Sequence, residues 1–407
     1  MNQFLFTIVA MCLSIVPLTG QDTFSIVAVD SVTGEVGSAG ASCLDNSQIA
    51  GGVLIISDPH PGRGVIHTQA YWLAANQNNA STRMDLGDSP EQIIYWLTWN
   101  DVQSNPTRRQ YGIADFDSSG SPRADAYTGI NCDDYKNHII GPYYAIQGNI
   151  LLGQEILDSM ESRFLDEPGG LACKLMAALQ GANVAGADTR CLSEGVSSLS
   201  SFVRVARPED TTGTFYMDLA VVETPFGVEP IDSLQTLFDN FMAPLTPTAD
   251  FTHVESLLSV DFSDASAGAT SVSWNFGDGS GDTTSNPQHS YASEGTYNVC
   301  LTAYYECLSE TYCDSITVIA TGVKEHAESQ QLSVYPNPGG ATFTVTSGEA
   351  LQGAVLTVLN EGGREVIHMS NLSGNTVTLN LKGLPKGLYL LRISAEAEFY
   401  AVPIILE

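Results

Sequence analysis

The chain has 407 residues, room for about two to four domains, and sets 16 Lys and Arg against 46 Asp and Glu, a formal charge of −30. Such a surface repels phosphate backbones and anionic lipid, so neither nucleic acid nor a membrane surface is an expected partner. The imbalance is sharpest between residues 243 and 320, which hold no Lys or Arg.

Residues 1–20, "MNQFLFTIVAMCLSIVPLTG", read as a secretory signal with a short apolar stretch and Gly20 before the expected cut. No later apolar run approaches the ~18 residues of a membrane span, so the mature chain is expected to be soluble. "TFSIVAVD" and "EVGSAGAS" alternate around "SVTG" and predict a hairpin. "GGVLIIS" and "GVIHTQAYW" read as further strands. In "DSPEQIIYWLTWNDVQ", Ser89 as N-cap, Pro90 at the first helical position and Gln92 three residues on predict a capped helix. Strands follow in "RQYGIADF", "RADAYTG" and "PYYAIQG". Apolar residues at three- and four-residue steps predict helices in "NILLGQEILDSMESRFL" and "GLACKLMAALQGA". "VSSLSSFVRV" and "TFYMDLAVVE" return to strand, and "PIDSLQTLFDNFM" closes the segment as a helix. Strands and helices in blocks predict an α+β fold, with helices on mainly antiparallel sheets.

"APLTPTADF" is a linker, and helical periodicity ends there. Residues 247–320 are short strands at sandwich-like spacing. "TGVKEHAESQQ" is a second linker, and residues 331–407 are again strands and turns. The reading gives a signal at 1–20, a mixed domain at 23–242 and two all-β sandwich-type domains, at 247–320 and 331–407.

Cys12 leaves with the signal, and Cys43, Cys132, Cys173, Cys191, Cys300, Cys307 and Cys313 remain. Their spacing fits no metal site, and an exported chain oxidises its thiols. Cys300 and Cys313 fall on what read as adjacent antiparallel strands, with Cys307 competing for Cys313. Cys173 and Cys191 are the other expected pair. His60 and His67 flank a Pro/Gly turn without a supporting carboxylate pattern, and "GDGSGD" at 277–282 lacks the rest of a calcium loop. No metal and no cofactor is expected.

The first segment resembles an uncharacterised bacterial family placed in the N-terminal nucleophile (Ntn) hydrolase superfamily, through "TFSIVAVD.VTGEVGSAGAS", "TQAYW", "YTG..C", "YAIQGN.L" and "AG.DTR". The resemblance implies a four-layer αββα fold. "WNFGDG" with "HSYASEGTYNVCLT" resembles a PKD-type repeat. "SVYPNPGGATFTV" and "LPKGLYLLRI" resemble the C-terminal sorting domain of type IX secretion in Bacteroidetes, which implies that secretion machinery as a partner and a secreted or surface-attached protein.

Under the Ntn resemblance, Thr23 is the nucleophile, provided that a cut frees its α-amine to act as base. Its plain alternative is the first residue of a strand, where β-branched residues sit well. Asn149 stands where a strand gives way to a helix. It is expected either to cap that helix or to donate its amide to an oxyanion, with Gly148 opening the backbone to substrate. Gln147 is a further candidate for the same pocket, and Gln69 is expected either to make a sheet-edge hydrogen bond or to take a substrate role. Asp188 and Arg190 are expected as a local ion pair, either structural or with an orienting or substrate-carboxylate role. The function expected is hydrolysis of an amide or peptide-like bond in a small-molecule or peptide substrate. The alternative is a non-catalytic surface binding or adhesion protein that reuses the fold.

Overall fold

The first strand has every side chain buried, because its odd and even residues serve two different cores. Phe24, Ile26 and Ala28 face a cluster built with helices, whereas Val27 and Val29 face a second sheet. A strand covered on both faces reads as a near-continuous apolar run, and "FSIVAV" is one broken only by Ser25. The computed structural model describes residues 23–133, 135–320, 332–348, 350–395 and 398–407. The signal at 1–20, the residues before Thr23 and the "TGVKEHAESQQ" linker lie outside the described residues. The chain divides at Ala320 into two units.

In the first unit, β1 (Phe24–Val29) and β2 (Val36–Ser42) form the expected hairpin. They are followed by β3 (Ser57–His60), β4 (Gly64–Gln69), α1 (Ala74–Asp85), α2 (Pro90–Trp99), β5 (Gln110–Phe116), β6 (Pro122–Thr128), β7 (Asn137–Ile140), β8 (Tyr144–Gly148), α3 (Gln154–Asp166), α4 (Leu171–Gly181), β9 (Ser200–Ala206), β10 (Met217–Val221) and α5 (Pro230–Met242). One antiparallel sheet has the order β10-β9-β2-β1-β8-β7, the other β3-β4-β5-β6. The sheets face each other, β1 and β8 lying over β4, β5 and β6. Helices α3, α4 and α5 pack on the first sheet, and α1 and α2 on the second.

The capping box of α2 is present as expected: Gln92 N donates to Ser89 Oγ at 3.2 Å, and Ser89 N to Gln92 Oε1 at 2.9 Å. Three local expectations are corrected. "GVLII" is a 3-10 turn rather than a strand, since Gly51 and Gly52 take φ of 88° and 56°, which break an extended run. Helix α1 was not expected: its buried side chains are Asn76, Ala80 and Met84, an i, i+4, i+8 stripe with too little apolar character to register as periodicity. Helix α3 begins at Gln154, after Gly153, so Asn149 is not its cap.

Residues after α5 form β11 (Phe251–Ser256), β12 (Ser259–Asp264), β13 (Ser271–Asn275), β14 (Gly281–Asp282), β15 (Gln288–Ser290), β16 (Gly295–Tyr305) and β17 (Leu308–Val318). Their sheets, β11-β12-β15 and β14-β13-β16-β17, enclose a core around Phe262, Trp274 and Leu301. "GDGSGD" spans the turn from β13 to β14. The second unit holds β18 (Ser333–Tyr335), β19 (Thr342–Thr346), β20 (Val355–Asn360), β21 (Glu365–Met369), β22 (Thr376–Asn380), β23 (Gly387–Ala395) and β24 (Glu398–Leu406), in sheets β18-β19-β22 and β21-β20-β23-β24.

Cys300 and Cys313, directly opposite in the β16–β17 ladder, form a disulfide. The expected Cys173–Cys191 pair is corrected. Cys191 pairs with Cys43, just beyond β2, and Cys173, in the first turn of α4, pairs with Cys307. The β16–β17 connection carries Cys307 onto α4, where its N–H donates to Cys173 Sγ at 3.2 Å, and Leu308 packs on the core beneath. Cys132 stays a thiol and donates to Arg109 O at 3.3 Å.

A non-reduced peptide map of the exported protein is expected to recover Cys43–Cys191, Cys173–Cys307 and Cys300–Cys313; a Cys173–Cys191 peptide would contradict the pairing. Replacing Cys173 and Cys307 together by Ser is expected to lower unfolding stability by about 2–4 kcal/mol in urea titrations.

Candidate active site at the start of the first strand

The space between the two sheets changes character along its length. At one end it is filled by Val27, Val29, Val65, Ala114, Phe116 and Ala145. At the other end the same alternation brings in Thr23 and Ser25 from β1, His67 and Gln69 from β4, Gln110 from β5, and Gln147 and Asn149 from β8 and its exit. Each of these is at most 1% exposed. A polar seam so deep must satisfy itself, since each buried unpaired group costs about 1–3 kcal/mol.

Gln110 is the hub. Its Nε2 lies 2.9 Å from Gly148 O, 3.1 Å from Asn137 O and 2.9 Å from Thr128 Oγ1. Its Oε1 accepts from Gln69 Nε2 at 2.7 Å and Asn149 Nδ2 at 3.0 Å. Gln69 Nε2 also reaches Thr23 O at 3.2 Å, and Gln69 Oε1 accepts from Ser25 Oγ at 2.6 Å. Ser25 Oγ in turn accepts from Gln147 Nε2 at 2.7 Å. Gln147 Nε2 lies 3.4 Å from His67 Nδ1, and burial, then the charge of Arg204, pushes the His67 pKa down to about 3, so its ring is neutral. Gln147 fits because β5 has Gly112 there: a Cβ would stand 2.0 Å from Gln147 Oε1. Among the described residues, His67 Nε2, Gln147 Oε1 and Asn149 Oδ1 have no partner.

Thr23 lies just ahead of β1, with Ser42 on one side and Asn149 on the other by continuation of the β1–β2 and β1–β8 registers. Its carbonyl accepts from Asn149 N and Gln69 Nε2, both at 3.2 Å. A cavity of about 10 Å³, the space of a single water, is lined by Thr23, Ser42, Leu44, Gly52, Val53 and Ile56 among others. The chain turns sharply where it leaves the site. Ala70 and Tyr71, after Gln69, have φ of 53° and 56°, and Ile150, after Asn149, has φ of 52°. For a β-branched residue that is an outlier, and such strain gathers at functional sites.

Asp188 is fully buried and holds the end of β2. It accepts from Cys43 N at 2.9 Å and from Arg190 Nε and Nη2 at 3.0 and 2.6 Å. The fold thus gathers Thr23, Gln69, Asn149 and, through Cys43, the Asp188–Arg190 pair at one end of the sheets. Gln147 lies a step deeper, opposite Ser25. The space above Gly148 is taken by Leu151, whose Cδ1 would be 2.7 Å from an added Cβ. His60 is elsewhere, between Asp58 and Asp85. Sequence reasoning missed Ser25, Ser42, His67 as a seam residue, and Gln110. The one available signal was Ser25, two residues after Thr23 and therefore on the same face of the strand.

Residues 23–233 match a family described as "Family of unknown function (DUF1028)", residues 242–319 a PKD domain, and residues 333–407 a secretion system C-terminal sorting domain. A solved protein of Silicibacter pomeroyi assigned to DUF1028 is 23% identical, covers 54% of this chain and 89% of its own, and has a TM-score of 0.44. The PKD1 domain of a Vibrio cholerae metalloprotease is 32% identical over 18% of this chain and 98% of its own, with a TM-score of 0.18. The PKD1 domain of Vibrio anguillarum Epp is 27% identical over 19% of this chain and 96% of its own, also at 0.18. No curated protein matches the chain. The sorting domain indicates export, to the cell surface or the medium. Among the described residues no helix is long and apolar enough to cross a membrane. The chain belongs to the DUF1028 family, carrying a PKD domain and a secretion-system sorting domain after its family segment.

Proposed function

We propose that the DUF1028 segment is an Ntn-type hydrolase of an amide or peptide-like bond, with Thr23 as nucleophile. In this reading the two facing sheets with helices on their outer faces are the αββα stack of that superfamily. The observation that carries it is the placement of Thr23. It precedes the central β1, shares the inter-sheet face of Ser25 at the edge of the buried polar seam, and lines a water-sized cavity. Once the chain is cut before Thr23, the α-amine takes the hydroxyl proton as Oγ attacks the substrate carbonyl. The amide bond breaks, its nitrogen leaves with that proton, and water then hydrolyses the Thr23 ester. The amine's ordinary pKa of about 7.7–8.0 leaves a useful neutral fraction near neutral pH. Gln69 and Asn149 flank the reacting residue, and Asp188 with Arg190 orients the Ser42–Cys43 edge or meets a substrate carboxylate.

A second reading, a non-catalytic surface binding protein, is favoured by two observations. Gln21 and Asp22 stand between the expected signal cut and Thr23, and Thr23 is 1% exposed. Intact-mass analysis of exported protein beside a panel of amide substrates separates the two. Thr23→Ala is expected to abolish turnover while changing stability by no more than ~1 kcal/mol, and Thr23→Ser to retain part of the activity. Exported protein that begins at Gln21 and still hydrolyses amides would overturn the N-terminal-nucleophile reading. In the native host, a chain ending at Ala320 is expected to accumulate in the periplasm, as judged by fractionation; normal surface display of it would count against a sorting role for residues 331–407.

A further inference from the structure

The seam has one sense of donation, and backbone carbonyls fix it. Asn137 O and Gly148 O can only accept, so the amide of Gln110 must turn its Nε2 to them. Its Oε1 then faces Gln69 and Asn149, and both must present N–H groups to it. Turning the Asn149 amide over would set oxygen against oxygen. Asn149 Oδ1 is thereby directed away from Gln110, on a side chain with no exposure, and has no partner among the described residues.

The ladder says what stands nearby. Asn149 follows Gly148, which pairs with Phe24, and Asn149 N donates to Thr23 O at 3.2 Å. In an antiparallel ladder, a directly opposed pair joined by such a bond turns each main-chain N–H toward the other residue's carbonyl. The nitrogen of Thr23 therefore lies on the Asn149 side of its strand, with the Asn149 carbonyl before it, and side chains so opposed have Cβ atoms only about 4.5–5.5 Å apart.

We infer that Asn149 is a positioning residue whose Oδ1 accepts an N–H from the freed α-amine of Thr23. The inference rests on Thr23 being an N-terminal nucleophile, and it adds to the expected oxyanion-donor role of Asn149. The two roles use different atoms, since Gln110 Oε1 takes one Nδ2 hydrogen and leaves the other to donate. With one N–H on the Asn149 carbonyl and the other on Oδ1, the neutral amine keeps its lone pair for the hydroxyl of its own residue. Because a hydrogen bond to the protonated amine favours that form, the Oδ1 contact raises the amine's proton affinity.

The test uses protein beginning at Thr23 and running to Glu407. The α-amine pKa is read from the pH dependence of its acetylation, followed by mass spectrometry of the N-terminal peptide. Asn149→Leu, similar in volume and lacking the acceptor, is expected to lower the amine's proton affinity about tenfold, the size of one hydrogen bond to a charged group. Asn149→Asp keeps an oxygen toward the amine, its second carboxyl oxygen carrying a proton to meet Gln110 Oε1, and is expected to leave the pKa at or above the wild-type value. An unchanged pKa in the leucine variant, or a pKa below wild type in the aspartate variant, overturns the assignment. Should the leucine variant not fold, the aspartate variant decides alone by the same criterion. Turnover is scored separately with Thr23→Ala. The expected pKa pattern with Thr23→Ala still active sinks the hydrolase reading and leaves the placement of Asn149 standing; loss of turnover with an unmoved pKa does the reverse.

Discussion

The candidate site depends on the side-chain amide of Gln110, wedged between two backbone carbonyls. Asn137 O and Gly148 O leave it a single orientation, and through it Gln69, Asn149, Ser25 and Gln147 each inherit theirs. In a low-dielectric layer, hydrogen bonds linked in this way strengthen one another, and any break exposes a buried donor or acceptor at full cost. Few arrangements are therefore available to the groups around Thr23.

The same layer is apolar at its far end, where Val27, Val29, Val65 and Ala145 lock the sheets together. The two facing sheets thus hold an apolar lock and a polar seam, divided along their length. Burial of branched side chains at the far end holds the sheets face to face, and the polar end can then be ordered without carrying the packing energy itself. The strained turns at Ala70, Tyr71 and Ile150 lie on the polar side of that division, where ladder and seam bonds on either side hold them in place.

Outside the family segment, the chain is stiffened by covalent links suited to an oxidising compartment. The PKD hairpin is tied to α4 by Cys173–Cys307, so the family segment and the sandwich that follows it share one crosslinked body. A charge of −30 keeps such a surface soluble and repels anionic polymers.

The sequence by itself determined what depends on neighbours along the chain. The β1–β2 hairpin came from alternation and its turn, α2 from its capping box, and α3 and α4 from helical periodicity. The change to all-β structure after residue 243 came from the loss of that periodicity. Ordering by neighbours also made Cys300–Cys313 readable, since both lie on one hairpin. Tertiary structure decided whatever joins distant segments or overrides local preference. Helix α1 folds because Asn76, Ala80 and Met84 have a sheet to cover, and "GVLII" curls because Gly51 and Gly52 turn where the chain must reach Ser200 and Val222. Cys43 found Cys191 and Cys173 found Cys307 across separations of 148 and 134 residues, which spacing cannot encode. Thr23, Gln69 and Asn149 were legible as candidates one by one. Gln110 was not, because a glutamine in a strand has no local signature, and only the packing of one sheet on the other gave its amide two carbonyls to face.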